Sequence, residues 1–360
     1  MIRKRILMVA GEASADRHAS KVIRSLQGVF EEVEIFGMGG PFMKASGMEC
    51  CYGMDELSVM GFSDVLPRIR RIHEVYKGIQ RLITSRKPDI VIPVDLPDFN
   101  MRVARFARKN NTKVLYYIAP QAWAWRSYRA GTLREITDGL AVIFPFEEEF
   151  FSGYGVNARY VGHPLMEDLS LTEEAAWPVK RIAILPGSRY HEIRQILPIM
   201  LGAKHIVQEK YPDITWHLPV APGLDINVIA GMADNDIHLT ESLPRVDLAM
   251  VKSGTSCFEM AIQCIPAVIC YRTSAFNYLL ARSFVKTRFI GMPNIIMGKA
   301  IAPELIQDEL NEKALAKELL KYITDRSLFL DAVADCKNLR ERMGDQRSDQ
   351  EVARWVTELL

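Results

Sequence analysis

The stretch RILMVAGEASADRHASKVIRSLQGVFEEVEIF, residues 5–36, decides the fold class. It contains an apolar run at 5–9, an amphipathic segment at 15–29 and a second apolar run at 33–36. Short apolar runs separated by a segment with helical periodicity predict two parallel strands joined by a crossover helix. The loop after the first strand then lies at the carboxyl edge of a parallel sheet, where such folds bind their ligands.

The same alternation continues along the chain and predicts a doubly wound α/β domain. Further strands are predicted at 89–95, 112–118, 139–144 and 158–161, with helices near 66–86, 99–110, 124–136 and 147–153. The polar, acidic residues 167–180 show neither strand nor helix periodicity, so we predict that they form a linker.

After the linker the alternation restarts and predicts a second doubly wound domain with a helical tail. Its strands are predicted at 181–185, 214–220, 236–239, 247–251 and 267–271, with a helix near 191–210. Helices are predicted at 303–324, 327–342 and 346–360, with no strand between them. We expect an N-terminal domain at 1–168, a C-terminal domain at 169–342 and a last helix at 343–360 that packs back on the first domain. Two such domains are expected to face a ligand-binding cleft.

Composition limits the classes of function. The length of 360 residues exceeds the roughly 250 to 300 residues of a single core. The formal net charge of +1 gives no overall attraction to nucleic acid, so no such partner is expected. The six cysteines lack metal-ligand spacing, which predicts reduced thiols and no metal site. Because the apolar runs are far shorter than the roughly 20 residues that span a bilayer, we expect a cytoplasmic protein that can still lie on a membrane surface.

The loop after the first strand, at 11–16, carries the first candidate site residues. Glu12, Ser14 and Asp16 place two carboxylates and a hydroxyl directly before a helix. The alternative is an ordinary βα turn in which Ser14 or Asp16 caps the helix. The loop lacks the GxGxxG spacing of dinucleotide-binding enzymes, which disfavours a redox function.

A second candidate site follows a later strand, in the sequence VIPVDLPDFN at 91–100. Asp95 ends an apolar strand, and Pro97 stiffens the loop that holds it, so a carboxylate is presented rigidly at the sheet edge. A carboxylate that closes a buried strand needs a partner or a chemical task. Asp98 is either a second candidate or the cap of the next helix.

Aromatic and basic side chains follow the next strand, namely Trp123, Trp125 and Arg126. Two indoles beside an arginine suit either sugar stacking or core packing. The pattern leaves both interpretations open.

Two turns of the second domain suit a diphosphate. The first follows a strand and contains Gly187, Ser188 and Arg189; the second contains Ser253, Gly254 and Thr255. Each precedes a predicted helix whose N-terminal N–H groups can bind phosphate oxygens, and an arginine adds a bidentate cation. Glu259, one turn into the second helix, can accept hydrogen bonds from ribose hydroxyls. The spacing of a P-loop is absent, which disfavours a P-loop NTPase.

In its motifs, the chain resembles the lipid-A-disaccharide synthase family over nearly its whole length. The matching motifs are GEASAD at 11–16, MGG at 38–40, ELSVMGFSDVL at 56–66, DLPDFN at 95–100, AWAWR at 122–126, FPFE at 144–147, VGHP at 161–164, LPGSR at 185–189, SGTSCFE at 253–259, YR at 271–272 and MPN at 292–294. Their ordered co-occurrence makes the resemblance specific.

The resemblance implies two Rossmann-like domains in the GT-B arrangement and an inverting glycosyltransferase. It implies transfer of 2,3-diacylglucosamine from UDP-2,3-diacylglucosamine to the 6-hydroxyl of 2,3-diacylglucosamine 1-phosphate, without a metal or other cofactor. Asp95 matches the family's essential aspartate, with Glu12 and Asp98 as the next candidates for the base. Arg189 matches the arginine beside the diphosphate, and Asn294 matches another functional polar position. Asn100 of the DLPDFN motif is a further candidate substrate-binding residue. The family also implies a homodimer at the cytoplasmic face of the inner membrane.

Two other classes of function stay open beside this one. One is a related UDP-sugar enzyme, such as a UDP-N-acetylglucosamine 2-epimerase or the peptidoglycan glycosyltransferase, and the other is a non-catalytic nucleotide-sugar-binding module. The presence of Asp95 favours catalysis. The chain departs from the family pattern at Ala15, where glycine is usual, and at Met292, where leucine is commoner. Ala15 makes a positive φ less favourable there, but neither change removes a chemically active side chain.

The segment at 57–87 predicts contact with lipid. Its apolar residues are Leu57, Val59, Met60, Phe62, Val65, Leu66, Ile69 and Ile72, and its cations are Arg68, Arg70, Arg71, Lys77, Arg81, Arg86 and Lys87. An amphipathic helix with this composition can lie on an anionic leaflet. We expect Met60 and Phe62 to contact acyl chains while the arginines bind headgroups. The alternative is a core helix with a solvated charged face.

Overall fold

Two parallel sheets, one in each of two units, form the frame of the chain. The computed structural model describes residues 3–56, 65–124, 127–167, 175–273 and 287–360, without the side chains of 65–69. The first unit consists of Met1–Glu167 and Asp345–Leu360, and the second of Asp168–Gly344. The last helix of the chain therefore belongs to the first unit.

The first unit is a doubly wound sheet. Its strands are β1 Lys4–Ala10, β2 Val33–Gly39, β3 Glu49–Gly53, β4 Ile90–Val94, β5 Lys113–Tyr117, β6 Gly139–Val142 and β7 Ala158–Tyr160. They pair in parallel in the order β3-β2-β1-β4-β5-β6-β7. Its helices are α1 Ala13–Val29, α2 Pro41–Ala45, α3 Val65–Arg86, α4 Pro97–Lys109, α5 Tyr128–Ile136, α6 Pro145–Ser152, α7 Pro164–Glu167 and, near the C-terminus, α14 Ser348–Leu359.

Both faces of this sheet are buried, which explains why its strands are continuously apolar. Along β1, Leu7 belongs to one core cluster and Met8 to the other, because successive side chains of a strand point to opposite faces. Helix α14 covers the second face, where Trp355 is 2% exposed. Its start is held by Ser25, whose hydroxyl donates to Asp349 at 2.6 Å.

The second unit is also a doubly wound sheet, whose six described strands repeat the order of β1 to β6. Its strands are β8 Arg181–Leu185, β9 Thr215–Pro219, β10 Ile237–Thr240, β11 Leu248–Lys252, β12 Ala267–Tyr271 and β13 Glu304–Ile306, in the order β10-β9-β8-β11-β12-β13. Its helices are α8 Tyr190–Gln208, α9 Ile226–Ala230, α10 Thr255–Ile262, α11 Met292–Met297, α12 Glu312–Thr324 and α13 Arg326–Met343. All of the strand pairs are parallel.

The predicted fold class is confirmed, with errors at the sheet edges, where strand β3 Glu49–Gly53 was not predicted and the helix expected from 303 is in part a strand. Two doubly wound parallel sheets and a helical C-terminal end are present. The helix predicted to begin at 303 is wrong, because Glu304–Ile306 forms the edge strand β13 and pairs with β12. A three-residue edge strand depends on its partner strand rather than on its own pattern, so the sequence did not reveal it.

Helix α3 turns its described apolar side toward the core of the first unit. Val75, Ile79 and Ile83 are at most 2% exposed and join the core cluster that contains Leu7. Arg86 packs 3.9 Å over the ring of Phe36 and pairs with carboxylates of β2 and β3, so it does not belong to a basic surface as predicted. This part of α3 therefore matches the alternative of a core helix. Among the described residues, no helix combines the length and apolar character needed to cross a bilayer.

Candidate active site

The candidate residues of the first unit follow two neighbouring strands at the point where the strand order reverses. From β1 the sheet continues through β2 to β3 on one side, and from β4 to β7 on the other. In such sheets ligands bind outside the carboxyl ends of the strands at this switch point. Glu12 and the exposed Ser14 follow β1, and Asp95 follows β4. The topology thus brings together loops that are about 80 residues apart in sequence.

Asp95 is held in a strained backbone conformation. Its φ is 52° and that of Leu96 is 48°, in the left-handed region that side chains usually avoid. Such a conformation costs about 1 to 3 kcal/mol per residue and persists only where the surroundings fix it. Here the Asp95 carbonyl accepts hydrogen bonds from Asn100 Nδ2 at 2.8 Å and from the Tyr116 hydroxyl at 2.7 Å. The Asp95 N–H donates to the Tyr117 carbonyl at 3.0 Å, so the residue's position is fixed through its backbone.

The environment of Asp95 favours a proton acceptor. The side chain is half-buried, and this burial raises the pKa of its carboxyl, with a further contribution from the negative charge of Glu12. The N–H of Leu96 acts in the opposite direction but does not cancel these effects. A carboxylate with a raised pKa binds a proton more readily in the range where an enzyme works.

The neighbouring residues of the DLPDFN motif have distinct positions. Asn100 is fully buried, and its side-chain amide also donates to the carbonyls of Val9 and Val94. Asn100 therefore joins the ends of β1 and β4, which supports a positioning role rather than substrate contact. Asp98 lies inside the first turn of α4, with Leu96 at the cap position, and forms an ion pair with Arg129.

Asp16 has a structural environment. It is fully buried, and its carboxylate accepts hydrogen bonds from the backbone N–H groups of Gly40, Phe42 and Met43 at 2.9 to 3.0 Å. These bonds hold the MGG turn against the start of α1. A Cβ at Gly40 would lie 2.5 Å from Asp16 Oδ2, which explains the glycine in this motif. The contacts support a structural role for Asp16 rather than substrate binding.

A cavity of about 280 Å³ adjoins Asp95 within the first unit. Its walls include the side chains of Asp95, Arg129 and Glu147 and the loop at 118–122. Glu147 is 1% exposed and accepts hydrogen bonds from Trp123 Nε1 at 2.9 Å and from two backbone N–H groups at the end of β6. Burial raises the pKa of Glu147 to about 7, although these three donors act in the opposite direction.

Trp123 connects the AWAWR and FPFE motifs. Its ring lies edge-on to Phe146 at 5.0 Å, and its indole N–H is bound to Glu147. These contacts favour packing over sugar stacking for this indole. Four other residues that were predicted to contact substrate lie outside the described residues, namely Met60, Phe62, Trp125 and Arg126.

Sequence reasoning did not nominate Glu147 or Arg129, although both line the cavity. The available signal for Glu147 was a carboxylate directly after a strand, between the aromatic residues of FPFE. Arg129 gave no comparable signal, because arginines on amphipathic helices are usually solvated.

The two candidate turns of the second unit also lie at a switch point. Strands β8 and β11 are neighbours, and the strand order reverses between them. Gly187 and Ser188 follow β8, and Arg189 lies at the cap of α8 with 72% of its side chain exposed. Gly254 and Thr255 follow β11 and are exposed at the start of α10. The two turns therefore lie next to each other at the carboxyl edge of this sheet.

A glutamate and a lysine that the sequence reasoning missed join these turns. Glu192 accepts hydrogen bonds from Lys252 Nζ at 2.9 Å and from the Ser188 N–H at 3.3 Å, and it lies 3.7 Å from the Arg189 guanidinium. Burial alone would raise the pKa of Glu192, but Lys252 and Arg189 lower it overall. The available signal for Lys252 was a cation at the end of a buried strand, directly before Ser253.

Ser253 and Asn294 are directed toward the interior of the second unit. The Ser253 hydroxyl donates to the Ile290 carbonyl at 3.3 Å. Asn294 is fully buried, accepts from the N–H groups of Ile301 and Ala302, and donates to the Glu304 carboxylate at 2.8 Å. These partners support a role in holding the loop around α11. Glu259 is half-buried, and burial raises the pKa of its carboxyl.

None of the residues in the described ranges form a group of three or more His, Cys, Asp or Glu side chains placed to hold a metal ion.

Solved structures with the same fold include enzymes that act on nucleotide sugars. A UDP-GlcNAc 2-epimerase from Neisseria meningitidis, bound to UDP-GlcNAc, aligns with a TM-score of 0.66 over 98% of this chain and 100% of its own, at 12% identity. The calicheamicin glycosyltransferase CalG4 aligns with a TM-score of 0.65 over 100% of this chain and 99% of its own, at 11% identity. At these identities the likeness shows the fold, which is that of the GT-B enzymes.

Sequence comparison is more specific. A family model described as lipid-A-disaccharide synthetase matches residues 6–354. The lipid-A-disaccharide synthase of Geobacter metallireducens is 35% identical over 374 residues, which cover 99% of this chain and 97% of that protein. That of Myxococcus xanthus is 35% identical over 373 residues, with the same shares. The chain therefore belongs to the lipid-A-disaccharide synthetase family.

Proposed function

We propose that this glycosyltransferase transfers 2,3-diacylglucosamine from UDP-2,3-diacylglucosamine to 2,3-diacylglucosamine 1-phosphate. The products are the β-1,6-linked disaccharide 1-phosphate and UDP. Family membership supports the substrates. The observation that carries the proposal is Asp95, a carboxylate with a raised pKa that is fixed through its backbone at the switch point of the first unit. Incubating the protein with both substrates and detecting the disaccharide and UDP tests the reaction itself.

The proposed chemistry is a single displacement. The 6-hydroxyl oxygen of the acceptor forms a bond to C1 of the donor sugar while the bond from C1 to the diphosphate breaks. The electron pair of that bond leaves with UDP, and the hydroxyl proton passes to the Asp95 carboxylate. Attack from the face opposite the leaving group converts the α linkage of the donor to β. Asp95 is the preferred base because it lines the cavity, whereas the side chain of Asp98 is 80% exposed, and Glu12 acts through its charge on Asp95.

We propose that the second unit holds UDP at its own switch point. The exposed Arg189 and the nearby Lys252 supply positive charge where α8, a helix of 19 residues, begins. Such a place favours a diphosphate, whose negative charge grows as the sugar leaves. In this proposal the two cations stabilise the leaving group, and the enzyme needs no metal or cofactor. Thr255 is assigned to a phosphate oxygen and Glu259 to the ribose.

We also propose that the protein associates with the anionic inner leaflet, where its acylated substrates reside. The support is the exposed polar face of α3, which carries Arg70, Arg71, Lys77 and Arg81. Arg70 and Arg71 pair with Glu74, and Arg71 also pairs with Glu56. Exposed pairs of this kind are weak, so lipid phosphates can compete for the same arginines. The homodimer implied by the family belongs to this proposal too, and sedimentation equilibrium tests it.

Replacing Asp95 with Asn should lower turnover by about 100-fold or more, because the amide cannot accept the hydroxyl proton. Asparagine tolerates the left-handed backbone, so the fold should persist. UDP affinity, measured by calorimetry, should stay near that of the wild type. Asp331→Asn, at an exposed position of α13, is the matched control. Near-normal turnover of Asp95→Asn would disprove the assignment of the base.

Replacing Glu12 with Gln should shift the acidic limb of the pH profile of kcat/KM to lower pH. The negative charge of Glu12 raises the pKa of Asp95 in addition to the effect of burial, so its removal lowers that pKa. A base with a lower pKa stays unprotonated further into the acid range. Glu31→Gln, an exposed change in the same unit, should leave the profile unmoved. If the limb of Glu12→Gln coincides with that of the wild type, another group controls it.

Replacing Arg189 with Ala should weaken UDP binding and lower turnover at saturating substrate, because the arginine acts on the charge of the leaving diphosphate. Arg194→Ala, an exposed change on the same helix, is the matched control and should have little effect. Turnover should also be unaffected by EDTA. A UDP-bound structure with the nucleotide against residues 11–16 would reverse the assignment of the two units.

Changing Arg68, Arg70 and Arg71 to Glu should abolish salt-sensitive sedimentation with anionic vesicles, since each cation near the surface contributes about 1 kcal/mol. A variant with Lys313, Lys317 and Lys321 changed to Glu carries the same change of net charge in the second unit and should still sediment. Equal binding by the arginine variant and the wild type would argue against this surface.

A further inference from the structure

Arg129 is a buried cation in the wall of the cavity that Asp95 also lines. Its side chain is 9% exposed, whereas the side chain of Asp98, with which it forms an ion pair, is 80% exposed. A cation removed from water needs strong compensation, which an exposed carboxylate provides only in part. The guanidinium is therefore fixed in the cavity wall, while its counter-ion lies at the surface.

Arg86 of the same unit shows how a fully engaged arginine differs. Its guanidinium pairs with Glu34 and Glu49 and packs over the ring of Phe36. Within the part of the chain that the structure describes, the Arg129 side chain donates hydrogen bonds to Asp98 alone. A guanidinium has five N–H donors in a planar fork, so Arg129 keeps donors for an anion in the cavity.

We propose that Arg129 binds the 1-phosphate of the acceptor and that Asp98 gives way to this phosphate when the acceptor enters. This inference rests on the proposed function, since it takes the acceptor from it. The 1-phosphate is attached to C1 and the 6-hydroxyl to C6, which extends from C5; C1 and C5 are the two carbons bonded to the ring oxygen. A base and a phosphate-binding cation must therefore lie within reach of the same sugar ring. A cavity of about 280 Å³ suits a single sugar headgroup and is too small for acyl chains as well.

Exchange of a carboxylate for a phosphate is favourable at this position. A phosphate monoester carries up to two negative charges and can accept two parallel hydrogen bonds from a guanidinium. The side chain of Asp98 is 80% exposed, so water can replace Arg129 as the partner of its carboxylate at low cost. Asp98 thus neutralises Arg129 before the acceptor binds and competes with the acceptor for the same donors.

The test compares two acceptors in mixed detergent micelles, 2,3-diacylglucosamine 1-phosphate and the same sugar without its phosphate. The wild type should prefer the phosphorylated acceptor. Arg129→Met should raise KM for that acceptor by about 10- to 100-fold, the loss expected for hydrogen bonds to a charged group, and should leave KM for the other acceptor unchanged. Arg129→Lys should keep part of the preference, and Arg134→Met, an exposed change on the same helix, should keep all of it.

The Asp98→Asn variant distinguishes whether Asp98 competes with phosphate for Arg129 or merely supports Arg129. This variant remains informative even if Arg129→Met fails to fold. If Asp98 competes with phosphate, its replacement should lower KM for the phosphorylated acceptor several-fold. If Asp98 merely supports Arg129, the replacement should raise that KM, which would overturn the inference. Equal use of both acceptors by the wild type, or an unchanged preference in Arg129→Met, would also overturn it while leaving the proposed function intact. If neither acceptor yields a disaccharide, the result would instead contradict the proposed function.

Discussion

The side-chain amide of Asn100 holds together the part of the first unit on which its candidate chemistry depends. The amide nitrogen lies 3.2 Å from the Val9 carbonyl, 3.0 Å from that of Val94 and 2.8 Å from that of Asp95. It therefore joins the end of β1 to the end of β4 at the switch point. Together with the Tyr116 hydroxyl, which also donates to the Asp95 carbonyl, this amide helps to hold the left-handed backbone at Asp95. The buried amide thus contributes to fixing where the candidate carboxylate lies.

In the second unit, an ion pair rather than a side-chain amide connects the two central strands, because it links α8, which follows β8, to the end of β11. Glu192, one turn into α8, binds Lys252 at the end of β11. A Cβ at Gly187 would lie 2.6 Å from Glu192 Oε2, so the glycine lets the carboxylate approach the loop after β8. The two units share a strand order but differ in what occupies the switch point. The first holds carboxylates beside a cavity, and the second holds cations beside a helix N-terminus.

The sequence predicted the frame and the loops well, because both depend on local patterns. Alternating apolar runs and amphipathic segments define βαβ units, and the strand ends then mark the candidate loops. The sequence could not predict in this way whether a given polar side chain points toward a ligand or binds backbone groups inside the unit. Asp16 binds backbone groups at residues 40 to 43, and Asn294 binds those at 301 and 302, so each role depends on a turn formed elsewhere in the chain.

Arg129 shows the same limit, because it lines the cavity although the sequence did not indicate it as a site residue. Its place on α5 gave no reason to expect burial, because the sequence of a helix does not say how deep its polar residues lie. Its contact with Asp98 joins α5 to the first turn of α4 across 31 positions. Only the packing of these helices brings the guanidinium to the cavity beside Asp95.

The carboxyl groups of Asp95 and Glu192, each near the switch point of its own unit, have pKa values shifted in opposite directions. In the first unit burial raises the pKa of Asp95, with help from Glu12, and raises that of Glu147 to about 7. In the second unit Lys252 and Arg189 overcome the effect of burial and lower the pKa of Glu192. A raised pKa suits a group that must take up a proton, whereas a lowered pKa marks surroundings that stabilise negative charge. This contrast supports the proposal that an acceptor hydroxyl gives up its proton in the first unit and that the second unit binds the leaving diphosphate.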